Sequence, residues 1–196
     1  MNKLRTAHAA ALGLAALATT QAQAAAQPAF LAASQMPPSS TPWTATQVLT
    51  GIPENGGVLC APYKIPAQNT RYREFNTELD TNGVQVTTVA RTEADAVQLV
   101  DTLRQSLAGC GPLLEQQNPG LQAVSASHGK LAAEEGAWVC LDTADPQIGI
   151  SDIHLFSVGR DGRTVTLVRW GQMGDLEDAP VTAFRTTTKT AVNKLH

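Results

Sequence analysis

Apolar residues recur at Ala96, Val97, Val100, Leu103 and Leu107, a spacing of three and four that lines one face of a helix. Thr92 and Asp95 precede the run in an S/T-x-x-D/E box, where the hydroxyl caps a free backbone N–H. The pattern predicts a helix over Glu93–Leu107, stopped by Gly109 and Gly111. A second stripe, Val181, Phe184, Thr188, Val192 and Leu195, predicts a helix over Ala179–Leu195. Asp178 is its expected cap, Pro180 fits the first turn, and Lys189 and Lys194 suit the C-terminal dipole. Thr186-Thr187-Thr188 is a weak helix former, so packing has to hold that segment.

Elsewhere the period changes to two. Val84–Ala90 is β-branched and roughly alternating, Trp138–Leu141 is a short apolar run, and Arg71–Leu79 and Leu121–Ala126 give weaker strand signals. The firmest signal is a hairpin of Ile153–Val158 and Thr164–Trp170 joined through Gly159–Arg163, with Asp161-Gly162 as turn chemistry. In its second strand Val165 and Leu167 face one way, and Thr164, Thr166, Val168 and Trp170 the other. Asp80-Thr81-Asn82-Gly83 begins like a calcium loop but lacks the later ligands, so it reads as a turn with Asn-Gly at its tip. The order predicts an α+β fold: an antiparallel sheet with its two main helices packed on one face.

The N-terminus changes the picture of where the chain folds. Lys3 and Arg5 precede an apolar run of ten, Ala9–Ala18, and Ala22-Gln23-Ala24 or Ala24-Ala25-Ala26 supplies a small-x-small cleavage pattern. These are the parts of a secretory signal peptide. Ten residues reach only ~15 Å as a helix, against a hydrocarbon core of ~30 Å. Cleavage near Ala24 or Ala26 is expected to yield an extracellular protein with no transmembrane anchor, and the lack of a nearby cysteine argues against a lipid anchor. Gln27–Pro42, rich in Pro, Ser and Ala, reads as an extended tether ahead of a single domain from Trp43 to His196. Pro37, Pro38 and Pro42 disfavour a central strand there, although Phe30 and Leu31 could dock.

Losing Lys3 and Arg5 from 14 basic residues, against 17 acidic ones, moves the net charge from −3 to −5. The remaining basic residues are scattered apart from Arg71/Arg73 and Arg160/Arg163, so nucleic acid is not an expected partner.

Export also bears on the cysteines, which pair in oxidising compartments. Loop entropy does not choose among Cys60, Cys110 and Cys140, because the possible loops differ by under ~1 kcal/mol. Cys60, near Gly56-Gly57 and Pro62, and Cys110, past a helix end, lie in irregular settings that adjust to disulfide geometry. Cys140 lies beside Trp138 and Val139 in a strand-like run, where a free thiol behaves as a small hydrophobe. Context therefore favours Cys60–Cys110, with linkage of either residue to Cys140 as the alternatives. Without CxxC spacing, a zinc site from the three thiols is disfavoured.

Candidate chemistry is sparse. After export His128, His154 and His196 remain, with no HExxH, no GxSxG and no glycine-rich phosphate loop, so no cofactor is implied. Ser127-His128 are sequence neighbours, whereas a nucleophile and its base normally converge from separate segments. Glu134-Glu135 would point to opposite sides of an extended segment.

The layout as a whole resembles a known family. A Cys in a strand-like segment precedes Arg71-Tyr-Arg-Glu-Phe75, and a capped helix ends in Leu-Ala-Gly-Cys110. A short strand around Trp138 and a Val-Gly-Arg-Asp-Gly-Arg hairpin (Val158 to Arg163) lead into Val-Thr-Leu-Val168, before a closing helix. This is similar to the extracellular sensor domain of the mycobacterial PknH-type receptor kinases and its stand-alone secreted relatives in actinobacteria, over roughly Trp43–His196. The resemblance implies a twisted antiparallel sheet, helices, and a cleft for an unidentified ligand, and it carries over no catalytic residue. Neither kinase domain nor anchor is found in this sequence, so signalling through a cytoplasmic domain is not expected. The leading expectation is a non-enzymatic binding domain for a small ligand or a cell-envelope or protein partner. Its rivals are an assembly or adaptor subunit using the 27–42 tether, and a secreted hydrolase working around His128 or His154.

Overall fold

The computed structural model describes residues 27–54, 60, 64–131, 137–145 and 149–196, with the backbone alone for 137–142 and 145. The signal-peptide segment, Glu134-Glu135 and the side chain of Cys140 lie outside that description.

Eight strands form one antiparallel sheet. They are β1 (Thr44–Ala45), β2 (Leu49–Thr50), β3 (Thr70–Asn76), β4 (Asn82–Val89), β5 (Gln122–Lys130), β6 (Ala137–Asp145), β7 (Ile150–Asp161) and β8 (Thr164–Met173). The order runs β1, β3, β4, β8, β7, β6, β5, with β2 sharing the β3 edge with β1. A β3–β4 hairpin thus joins a β5–β8 meander through the β4–β8 pair. Among the described residues three α-helices accompany the sheet: α1 (Glu93–Ala108), α2 (Cys110–Gln117) and α3 (Val181–Val192).

The α1 helix begins where its box places it, with Thr92 Oγ1 accepting from the Asp95 N–H at 3.0 Å. Gly109 ends it at φ −88°, outside the left-handed region that turns a chain away, so one residue later helix resumes as α2. The expected stop at Gly111 is therefore overturned. A Cβ on Gly111 would come within 3.2 Å of Ser125 Oγ and 3.3 Å of Ala123 Cβ, so glycine is what lets α2 lie against β5. Asp178 does not cap α3, which starts at Val181 behind Pro180. Asp178 instead closes a 3-10 turn, Leu176–Asp178, accepting from the Asp175 N–H at 3.1 Å. Asn82-Gly83 is likewise not a turn tip. It opens β4, where Gly83 pairs with Phe75, and the chain reverses before it, with the Thr77 N–H donating to the Thr81 carbonyl.

The β7–β8 hairpin is longer than predicted, with Asp161 paired to Thr164 across Gly162-Arg163 and Gly162 at φ +52°. Both faces of its strands are buried. Val165, Leu167, Phe156 and Val158 pack with Ala96, Val100, Leu103 and Leu107 of α1. Val168, Trp170, Ile153 and Leu155 pack with Phe184 and Ala191 of α3. Residues adjacent in a strand point to opposite faces, so the two helices cover opposite faces rather than one. Thr164–Trp170 carries uncharged side chains on both its faces, apart from Arg169, and such a strand needs cover on both sides.

Residues 27–42 are part of this second layer. Leu31 is fully buried in the α3-side core, with Met36 beside it. The Ala29 N–H donates to the Lys194 carbonyl, Thr187 Oγ1 to the Gln35 carbonyl, and Trp43 Nε1 to the Pro37 carbonyl. The stretch, broken by a 3-10 turn at Ala33–Gln35, is docked rather than free, because Leu31 and Met36 pack into the domain's own core. Cys60 and Cys110 are joined by a disulfide with Cα atoms 5.4 Å apart, tying the loop before β3 to the start of α2. Cys140 sits in β6, its backbone paired with Leu155 and Ala126.

Candidate functional site

On the α1 side, the helix covers only part of the sheet. Beyond it Arg169 interrupts the apolar alternation Val165–Leu167 on the same face, paired with Val84 on β4 and Phe156 on β7. Two pairs further along, on the same face, Asn82 and His154 flank Gly171 from either side. A Cβ on Gly171 would overlap the His154 imidazole, so the missing side chain is what allows that ring to lie over β8. The Arg169 guanidinium donates to Asn82 Oδ1 and lies 3.4 Å from His154 Nδ1. Arginine can only donate, so Nδ1 is the acceptor and the proton of the neutral ring sits on Nε2.

Arg169 and Asn82 floor a cleft of about 670 Å³, to which no residue of α1 or α2 contributes, and His154 stands outside its lining, against Arg169. Tyr72, Asn76 and Leu79 help form its walls, and Glu54, Glu74 and Asp80 bring three carboxylates to it. Asp80 also holds the end of β8, its Oδ2 accepting from the Met173 N–H at 2.6 Å. Burial, then the neighbouring Arg169 charge, depresses the His154 pKa to about 4. Burial lowers Arg169 to about 10 against the opposing pull of Glu74, so it stays charged at neutral pH. Burial, then the charge of Asp80, raises the pKa of Asp152 on the strand beside it.

A general base works best with a pKa near the operating pH, and His154 meets a guanidinium where a catalytic histidine would meet a carboxylate or hydroxyl. His128 lies elsewhere, on edge strand β5, and its Nε2 has no hydrogen-bond partner among the described residues. The structure does not bring it to His154. Ser127 Oγ accepts from the Gly129 N–H at 3.4 Å, where β5 leaves its regular pairing between Ser127 and Lys130. His196 pairs with Asp161 at the surface. Among the described residues no group of three or more His, Cys, Asp or Glu could hold a metal ion.

None of Glu54, Glu74, Asn82 or Arg169 was singled out from sequence as a binding residue. The usable signal was Arg169 alone, a single charge inside a run of buried strand residues.

No known family model matches the chain, and no curated protein matches it. Among solved structures it is similar to the extracellular domain of PknH from Mycobacterium tuberculosis, at 13% identity and a TM-score of 0.48, over 83% of this chain and 97% of that one. A likeness at that level does not establish a shared family or function.

Proposed function

We propose that this protein is an exported, non-enzymatic binding domain that holds a small polar ligand in the cleft floored by Arg169. The observation that carries this reading is the Arg169–Asn82 hydrogen bond at the base of an open 670 Å³ cleft, with His154 set against Arg169 outside the lining. Convergent polar groups in a formed concavity are the usual make-up of a ligand site. Three carboxylates and one guanidinium give the cleft an excess of negative charge, which suits a ligand bearing an amine, alone or with a carboxylate for the arginine side. The adaptor alternative needs a free segment at 27–42, and that segment is docked in cis.

The test is calorimetric titration of the secreted protein with a panel of amino acids and small amines. At least one is expected to bind saturably, and Glu74→Gln and Asp80→Asn should each weaken it about tenfold, the ~1.4 kcal/mol of one charge-assisted contact. Binding unchanged in both variants would remove the cleft from the function.

A further inference from the structure

A second concavity lies at the other end of the same two strands. It holds about 460 Å³ and is lined by Arg71, Arg91 and Arg163, together with Thr50, Asn69 and the docked Gln27-Pro28. Among the described residues no Asp or Glu lines it, in a chain whose acidic residues outnumber its basic ones by 17 to 14. The two linings share no residue: Thr70 and Arg71 of β3 belong to this one, Tyr72, Glu74 and Asn76 to the Arg169 cleft, and the adjacent Arg71 and Tyr72 point to opposite faces of the strand.

Two of the arginines are held in place by neutral groups. Arg71 Nη1 donates to Gln27 Oε1 at 2.7 Å and Nη2 to the Pro28 carbonyl at 2.8 Å, with its guanidinium carbon 5.4 Å from the Phe30 ring centre. Arg163 Nη1 donates to the Arg91 carbonyl at 3.1 Å. A guanidinium carries five N–H donors, so anchoring of this kind fixes the fork while leaving donors and full charge. Arg91 makes a 3.4 Å contact with Asp95, but its side chain is 87% exposed, and such surface pairs are worth little. Planar forks of this type match the oxygens of phosphate and bind them bidentately.

We propose that this cleft is a site for a phosphate group, either free phosphate or a phosphate ester. Its volume leaves room for the group that an ester carries. Residues 27–28 complete its wall, so the site depends on the segment that follows the export signal being docked.

Calorimetry at fixed ionic strength tests the proposal on the secreted protein, with inorganic phosphate and glycerol phosphate as probes and succinate as a carboxylate control. Saturable phosphate binding is expected. It should weaken at least tenfold in the double variant Arg91→Gln/Arg163→Gln, with the phosphate-free Tm unchanged. Thr50→Glu, which places a carboxylate in the cleft and leaves all three arginines intact, should weaken it similarly. Tighter binding of glycerol phosphate than of phosphate would assign the site to esters, and the reverse order to the free anion. Glu74→Gln, in the other cleft, should have no effect, so the two sites stand or fall separately. Absence of saturable binding, succinate binding as tightly as phosphate, or full affinity in both cleft variants would overturn the proposal.

Discussion

Leu31 donates its backbone N–H to Gln85 Oε1 at 2.7 Å, in the interior of the protein. Gln85 is fully buried mid-strand in β4, and its amide nitrogen donates to Thr166 Oγ1 on β8 at 3.2 Å. The Leu31 carbonyl accepts from Arg73 Nη1 at 2.9 Å. A stretch without regular strand pairing is therefore held as a strand would be, through side chains. Without Leu31 the glutamine oxygen would be a buried acceptor with no partner, which costs ~1–3 kcal/mol.

Leu31→Ala is accordingly expected to destabilise the domain by about 2–5 kcal/mol, the range for emptying a buried leucine site. Urea denaturation measures it. A change within ~0.5 kcal/mol, typical of surface positions, would mean the segment is a tether after all.

His154 sets a pH dependence whose sign follows from its environment. Its folded pKa, about 4, lies below the ordinary histidine value of 6.5, so between those values the unfolded chain binds a proton that the native state refuses. Stability should fall as pH drops from about 6.5 to about 4, by about 1.4 kcal/mol for each unit of the shift. Asp152, with its raised pKa, acts in the opposite direction. His154→Asn should flatten the slope above pH 5 in denaturation series, and an unchanged slope would assign it to other groups. Gly171→Ala should disturb the same ring by steric overlap, cutting both stability and ligand affinity.

The Cys60–Cys110 bond closes a 50-residue separation and should contribute roughly 2–4 kcal/mol. Cys60→Ser and Cys110→Ser should cost similar amounts, and the double variant little more than either. Cys140→Ser should cost less. Non-reducing peptide mapping decides the linkage, and a bond to Cys140 would contradict it.

Processing is the remaining test. A mature N-terminus at Ala25 or Gln27 keeps every docked residue from Pro28 onward, and intact-mass spectrometry of secreted protein reads it directly. Retention of residues 1–24 would exclude export by cleavage.

The sequence by itself determined the elements that local chemistry writes. The Thr92 box and a period of 3.6 place α1, alternation places β4 and β8, and Gly162 beside Asp161 marks the β7–β8 reversal. Irregular settings pointed to Cys60 and Cys110. Only the tertiary structure decided which face each helix covers, that residues 27–42 belong to the core, and that Arg169, His154 and Asn82 meet. Those are relations between residues 87 positions apart for Asn82 and Arg169 and 152 apart for Gln35 and Thr187, set by β4 pairing with β8 across the α1–α2 crossover and the meander, and by α3 returning to residues 27–42. Periodicity reports how a side chain points relative to its own backbone, and carries nothing about which distant strand lies beside it. The same physics hid the docked segment, since proline-rich chain looks alike whether its backbone is satisfied by water or, as at Leu31, by a buried glutamine.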